Sequence, residues 1–342
     1  MKRAVAGLPA DAPREVAGFR ILRLLGGGAS ARVYLAEHPL RHRPVAIKLV
    51  HADLQADPEE LEQLLDAVER ARGIRHAHLE RVIEVVRGSD SVQIVSEYLP
   101  GGSLKERLAA QGPLAPLITL SVLRQLLGAL SALHRRGLVH RDVKPANVLF
   151  DAEGQAVLVD FGLLAQVRRR QAPGPADSVL VPALGQGSSQ IGRIAGTLAY
   201  MAPEQARGDS IDARADLYSV GVLAFEMLSG RLPFVSDDPL ALTELHARAP
   251  VPDLPAKVGW LQPLVEALMA KAEDDRLGSA EAVLEVLETL VLAEPAAADL
   301  APRSTSRLLR APRPPRSYST GMRWALALAV GLMALALILL LR

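Results

Sequence analysis

Two short polar stretches, set apart by two apolar runs, constrain this chain more than any other feature. His140-Arg141-Asp142-Val143-Lys144-Pro145-Ala146-Asn147 is followed downstream by Asp160-Phe161-Gly162. Between them, Asn147-Val148-Leu149-Phe150 and Ala156-Val157-Leu158-Val159 predict two short strands that carry the polar loops on a rigid base. Reactive side chains commonly sit on loops held in this way. The residue types and their order are those of a phosphoryl-transfer centre. Asp142 is placed to accept the proton of an attacking hydroxyl, Lys144 to meet the phosphoryl group, and Asn147 with Asp160 to hold magnesium on a triphosphate. Taken alone, Asp-Phe-Gly is more often a turn than a metal site, so the weight rests on order and spacing.

Upstream lies Val45-Ala46-Ile47-Lys48, an apolar strand that ends in a single lysine. Before it comes Leu25-Gly26-Gly27-Gly28-Ala29-Ser30-Ala31-Arg32-Val33-Tyr34, a Gly-rich turn between β-type segments, Phe19 to Leu25 and Arg32 to Glu37. A dinucleotide-binding fingerprint would open into a helix instead. Val92 to Leu99 alternates as a strand and then enters Pro100-Gly101-Gly102.

In this order the motifs resemble those of protein kinases, specifically the eukaryotic-type (Hanks-type) Ser/Thr kinases of bacteria, over roughly Phe19 to Leu292. The resemblance implies an α+β, bilobal kinase fold. A β-rich N-lobe would cover residues 19–99 and a helical C-lobe residues 100–292, with ATP and Mg2+ (Mn2+ as an alternative) in the cleft between them. The ATP-binding residues it implies are Leu25, Gly26, Gly27, Gly28, Ala29, Ser30, Ala31 and Val33 in the Gly-rich loop, then Ala46, Lys48 and Leu149. Glu97 and Leu99 would bond adenine through their backbones, beside Ser96 at the gatekeeper position. Lys48 would reach the α and β phosphates. Glu204, in Ala202-Pro203-Glu204, would pair with Arg276 inside the C-lobe. Asp216, the acid that opens an apolar helix, would cap the backbone of the catalytic loop. Lys144 and Gly196-Thr197 point to Ser/Thr rather than Tyr acceptors. In the long polar segment between Gly162 and Ala202, a phosphate on Ser188 or Ser189 would pair with Arg141 and order the segment. His140 is expected to pack behind the catalytic loop rather than act as a base.

Two positions depart from the family pattern. Ala31 replaces the third loop glycine, a small change. In the predicted helix Pro58 to Arg72, Ala67 stands where the family has the glutamate that pairs with the lysine, leaving Asp66, Glu69 and Glu62 as candidate substitutes. That loss motivates a rival reading, a pseudokinase that serves as a membrane-bound signalling scaffold and binds nucleotide without turnover. A small-molecule phosphotransferase of the same fold fits less well, because Ala202-Pro203-Glu204 and Gly196-Thr197 belong to the handling of protein substrates.

Composition bounds the rest. The chain has 342 residues, a formal net charge of +1 and no cysteine. The charge gives no global attraction to nucleic acid, and the missing cysteines exclude disulfides, thiolate metal sites and a cysteine nucleophile. Residues 1–18 read as a flexible leader without the apolar core of a secretion signal. Residues 293–323, rich in Pro, Ala, Ser and Arg, read as a disordered juxtamembrane linker. Trp324 to Leu341 carries no charge and lies near the lower end of the roughly 17 to 25 apolar residues that span a bilayer. It predicts a single-pass transmembrane helix in the cell membrane. The arginine excess before it places the kinase domain in the cytoplasm and the C-terminus outside. The partners expected are protein substrates, membrane lipid touching the helix and the basic linker, and a second copy in a homodimer.

Overall fold

The computed structural model describes residues 13–27, 31–40, 42–50, 58–87, 92–160 and 198–299. Gly28, Ala29, Ser30, Phe161, Gly162, Ser188, Ser189, Thr197 and the apolar run 324–341 lie outside the described residues.

Period-two alternation builds the N-terminal lobe. Strands β1 (Glu15–Val16), β2 (Phe19–Gly27), β3 (Ala31–Glu37), β4 (Pro44–Val50), β5 (Val82–Arg87) and β6 (Val92–Glu97) form one sheet in the order β1-β2-β3-β4-β6-β5. All its pairings are antiparallel. Successive side chains point to opposite faces of a strand, so the register sorts them. Phe19, Ile21, Tyr34, Val45, Ile47 and Val95 fill a core on one face. Lys48 lies opposite Val33 on one side and Ile94 on the other, and Ala46 lies opposite Ser96. This second face looks into the cleft.

Helix α1 (Pro58–Arg72) links β4 to β5. It buries Leu65, Val68 and Ala71, spaced three residues apart along one side. That stripe turns the acids of the helix to solvent. The sheet also reaches farther toward the N-terminus than the expected leader boundary. Val16 pairs with Phe19 and is buried, with Ala17 and Gly18 at positive φ making the turn, so the ordered domain begins before residue 19.

The second lobe is helical: α2 (Leu104–Gln111), α3 (Pro116–His134), α4 (Pro203–Arg207), α5 (Arg214–Ser229), α6 (Pro239–Arg248), α7 (Gln262–Leu268) and α8 (Ala280–Asp299), with a two-stranded ribbon of β7 (Val148–Phe150) and β8 (Ala156–Leu158). Ser103 starts α2 through a capping box with Glu106. Leu120, Leu123, Leu126, Leu127, Leu130 and Leu133 of α3 are buried, each contributing about 1.5–3 kcal/mol over an exposed position. By length and hydropathy α3 could cross a membrane, but 67% of it is buried inside the lobe, where it is a core helix. Helix α8 runs through to Asp299, past the expected domain end at Leu292. The alanines from Ala293 to Ala298 favour helix, whereas composition had assigned them to the linker.

A close backbone approach at Gly101 seats the connection between the lobes. Its N–H donates to the Phe150 carbonyl (2.8 Å), and Phe150 N–H donates to the Gly102 carbonyl (2.9 Å). A Cβ on Gly101 would lie 2.7 Å from Phe150 Cβ, so only glycine fits there. The contact sets Leu149 of β7 beneath the hinge.

Candidate active site

The catalytic loop follows α3 and is held from below by one carboxylate. Asp216 is fully buried and accepts the N–H groups of His140 (2.8 Å) and Arg141 (2.7 Å). It also hydrogen-bonds His134 Nε2 at 2.8 Å. Burial pushes its carboxyl up, but the His134 hydrogen bond and the charges and N–H groups around it override this and hold it below the usual range. Asp216 does not open its helix as the sequence suggests. Helix α5 begins at Arg214, which places Asp216 inside the first turn with its carboxylate aimed at the loop. The reason for such a bond is local: Arg141 has φ 69°, a left-handed conformation that costs a non-glycine residue about 1–3 kcal/mol unless its surroundings hold it.

His140 is buried behind the loop. The Asp142 N–H donates to His140 Nδ1 (3.3 Å), which makes Nδ1 the acceptor and leaves Nε2–H to donate to the Val159 carbonyl (3.1 Å). With both nitrogens engaged, His140 ties the loop to the end of β8. Asn147 donates through Nδ2 to the Asp142 carbonyl (2.9 Å) and to Asp142 Oδ2 (2.8 Å). Lys144 Nζ lies 2.7 Å from the same Oδ2. Asp142, Lys144 and Asn147 therefore converge within one turn of chain.

Across the cleft, Lys48 forms an ion pair with Asp160. Burial would raise the Asp160 carboxyl, but the Lys48 charge and hydrogen bond dominate and hold it below the usual range. Val33 and Ala46, on the same sheet face as Lys48, are half-buried above the cleft, as is Leu25 at its rim. Gly26 and Gly27 end β2, with Gly26 opposite Val33 and Gly27 opposite Arg32, and Ala31 is buried at the start of β3. Glu97 closes the β6 ladder through its N–H to the Arg81 carbonyl (3.1 Å), and Leu99 lies two residues beyond, in the hinge.

None of the three helix acids reaches Lys48. Glu62 pairs with Arg87 (2.9 Å), Asp66 with Arg70 (3.7 Å) and Glu69 with Arg72 (3.4 Å), all at the surface. The acid the structure does bring to the cleft is Glu80, which the sequence reading passed over. Its Oε2 accepts the Asp160 N–H at 2.9 Å, and the Ser96 hydroxyl hydrogen-bonds its carboxylate. Burial, followed by the Asp160 charge, pushes the Glu80 carboxyl up. An acid two residues before a strand looks like a solvated strand end, so the sequence carries no signal for it.

Deeper in the C-lobe, Glu204 and Arg276 meet as a fully buried bidentate pair at 2.6 and 2.8 Å. Gln205, another residue the sequence reading did not single out, donates to the Arg141 carbonyl (3.2 Å) and accepts the Ala202 N–H (3.0 Å). It couples α4 to the catalytic loop.

The donors fit a magnesium-nucleotide. Asp160 and the Asn147 amide offer hard oxygens, and no cluster of three or more His, Cys, Asp or Glu suited to a metal occurs among the described residues. An ion bridging to a nucleotide needs only one or two protein groups beside the phosphate oxygens.

Residues 19–286 match the protein kinase domain family. The chain belongs to the protein kinases. Within them it is similar to bacterial Ser/Thr kinases. It is 38% identical over 279 residues to the serine/threonine-protein kinase pkn2 of Myxococcus xanthus, covering 79% of this chain and 32% of that one. To PrkC of Bacillus subtilis it is 33% identical over 234 residues, 68% of this chain and 34% of that one. To PknB of Mycobacterium tuberculosis it is 32% identical over 270 residues, 77% and 41% of the two chains. This kinase thus spans well under half the length of those curated relatives. Among solved structures it is similar to the PknI kinase domain of Mycobacterium tuberculosis, with a TM-score of 0.62, 25% identity, and coverage of 85% of this chain and 100% of that one. Kinases of the family use ATP and Mg2+.

Proposed function

We propose that this chain transfers the γ-phosphate of ATP to Ser or Thr hydroxyls of protein substrates, from the cytoplasmic face of a membrane that it enters through residues 324–341. The observation that carries the catalytic reading is the convergence of Asp142, Lys144 and Asn147 on one loop, opposite the Lys48–Asp160 pair. Asp142, aimed by the Asn147 amide, orients the acceptor hydroxyl and takes its proton. Lys144, already beside Asp142, is positioned to meet negative charge on the transferring group, and Lys48 to turn from Asp160 toward the α and β phosphates. Magnesium held by Asn147 and Asp160 would supply charge neutralisation on the phosphates.

The test is magnesium-dependent phosphate incorporation by the full chain, with Asp142→Asn beside it. Loss of a positioned base should lower the rate by at least about 100-fold. A wild-type protein that binds ATP and transfers nothing would favour the scaffold reading.

Arg141 supports autophosphorylation of the segment that contains Ser188 and Ser189. Its Nε is buried with no hydrogen-bond partner among the described residues, and burial works against its charge with partial relief from Asp216. A phosphate would complete that environment. Phosphopeptide mapping after incubation with ATP decides this, an unmodified segment in active enzyme refuting it. The membrane reading rests on the uncharged run 324–341 and the arginines before it, each worth about 1 kcal/mol near an anionic surface. Deleting residues 324–341 should release the protein from membrane fractions.

A further inference from the structure

Two non-glycine residues of the catalytic centre adopt left-handed backbone, Arg141 at φ 69° and Asp160 at φ 74°. Each has its N–H taken by a carboxylate from elsewhere in the chain: Arg141 by Asp216 at 2.7 Å, Asp160 by Glu80 at 2.9 Å. The first is the bond the family resemblance leads one to expect. The second comes from a residue with no such expectation, in a cleft whose helix acids are all held elsewhere.

The route by which Glu80 reaches the site explains its precision. Residues 78–80 run beside the end of β8: Leu158 N–H donates to the His78 carbonyl (2.9 Å), and Glu80 N–H donates to the Leu158 carbonyl (2.8 Å). Two residues later the chain becomes β5, with Val82 opposite Ser96 of β6. Glu80 is therefore stitched by backbone bonds to the C-lobe ribbon and, through Ser96, to the N-lobe sheet. Its carboxylate accepts from the Asp160 N–H and from the Ser96 hydroxyl, and the charges of Lys48 and Asp160 both act on it. A small hydroxyl residue at position 96 leaves room for a glutamate and supplies it with a donor. The acids of α1, by contrast, are turned outward by the buried stripe Leu65, Val68 and Ala71 and are held by arginines.

The geometry points to Glu80 as the positioning acid of this cleft: from the strand side, it clamps the backbone that aims Asp160. Glu80 touches neither nucleotide nor acceptor in this role. It acts through Asp160, which it holds in a conformation the residue would otherwise leave. The inference rests on the kinase reading of the site, but its first readout is binding.

The experiment titrates magnesium against binding of a fluorescent ATP analogue to the full-length protein, alongside kcat and KM for ATP and a thermal melt. The variants are Glu80→Gln, Glu80→Val, Glu62→Gln, Asp66→Asn and Glu69→Gln. Residues that orient a metal ligand typically account for about 10- to 100-fold in metal affinity or activity. Glu80→Val, which removes both charge and acceptor, should raise the magnesium half-saturation by about 10-fold or more and lower kcat in step. Glu80→Gln keeps an amide oxygen for the Asp160 N–H and should fall between Val and wild type, at about 3-fold or more, an intermediate share of that same effect. The three helix variants should match wild type. Should Glu80→Val not melt cooperatively, the isosteric Gln variant decides alone. A wild-type magnesium half-saturation in Glu80→Gln, a lowered melting temperature without any shift in that value, or a helix variant that reproduces the shift overturns the assignment. Because the binding titration needs no turnover, a wild type that transfers no phosphate would fault the kinase reading while the magnesium shift still tested Glu80.

Discussion

Removing Arg276 should cost this protein more than neutralising its partner, and the asymmetry follows from what each side chain keeps. Both side chains of the Glu204–Arg276 pair have 0% exposure. Arg276 gives Glu204 two bonds, at 2.6 and 2.8 Å, and donates three more to the carbonyls of Ala270 (2.8 Å), Arg214 (3.2 Å) and Lys271 (3.4 Å). In Arg276→Met the Glu204 carboxylate stays in a dry site, with Glu273 close enough for the two acids to repel. Stranding one member of a buried pair costs about 3–5 kcal/mol. In Glu204→Gln the guanidinium loses its counter-charge and faces the amide NH2, but its three carbonyls and one amide oxygen still share its charge, so the loss should sit at the low end of that range, about 3 kcal/mol. The double change Glu204→Leu with Arg276→Met removes both charges and should cost less than the two single changes summed. Against a total stability of about 5–15 kcal/mol, the Arg276 loss alone is large. Urea unfolding followed by circular dichroism, with the slope checked for constancy, gives all three values. A loss below about 1 kcal/mol in Arg276→Met, or a larger loss in Glu204→Gln than in Arg276→Met, would refute the reasoning.

Other outcomes follow from the same geometry. Asp216→Asn leaves only one oxygen for the His140 and Arg141 N–H groups and weakens the hold on a left-handed residue, so kcat should fall by about tenfold or more while ATP binding changes little. His246 is buried against Tyr218 and Phe234, and burial with the nearby Lys271 charge lowers its pKa to about 3. Its unfolded value lies near 6.5, so between these values the unfolded chain takes up a proton that the native protein refuses. Stability from this group is complete above about pH 6.5 and declines by up to about 1.4 kcal/mol per pH unit below it. Melting temperatures from pH 7 to pH 4.5 should show that slope, and His246→Asn should flatten it; an unchanged slope in the variant counts against the assignment. Ser96 is buried and its hydroxyl bonds the Glu80 carboxylate, which already takes the room a small residue leaves there. A bulky purine analogue should therefore inhibit wild type and Ser96→Met alike, and clearly stronger inhibition of wild type would count against that filling of the pocket.

Most of the architecture was legible because local pattern suffices where structure repeats. An apolar run ending in a lysine located β4, alternation located β6, and the helix limits Pro58 to Arg72 coincide with those read from the chain. At the ends, composition misled. Val16 joins the sheet through a turn of only two residues, and α8 continues past Leu292, so regular secondary structure extends beyond both ends of the expected span 19–292.

The residues proposed for phosphoryl transfer are close together in the chain itself: Asp142, Lys144 and Asn147 lie within six consecutive positions, and the acid at Asp160 is only a ribbon away. Which carboxylate serves the cleft is not decided that way. Glu62, Asp66, Glu69 and Glu80 are equivalent in sequence, four acids near a strand or on a helix, and a helix lined with acids read as the place to look. The choice among them is made by burial of the apolar stripe on α1, which rotates its acids into solvent, and by the pairing of residues 78–80 with β8, which carries Glu80 inward. Asp216 and Glu80 show the same division. Each supports a backbone about 75 or more residues distant in sequence, and a hydrogen bond over that separation exists only once the elements carrying its two ends have packed, within the C-lobe for Asp216 and between the lobes for Glu80, because nothing in the local chain can place those ends together.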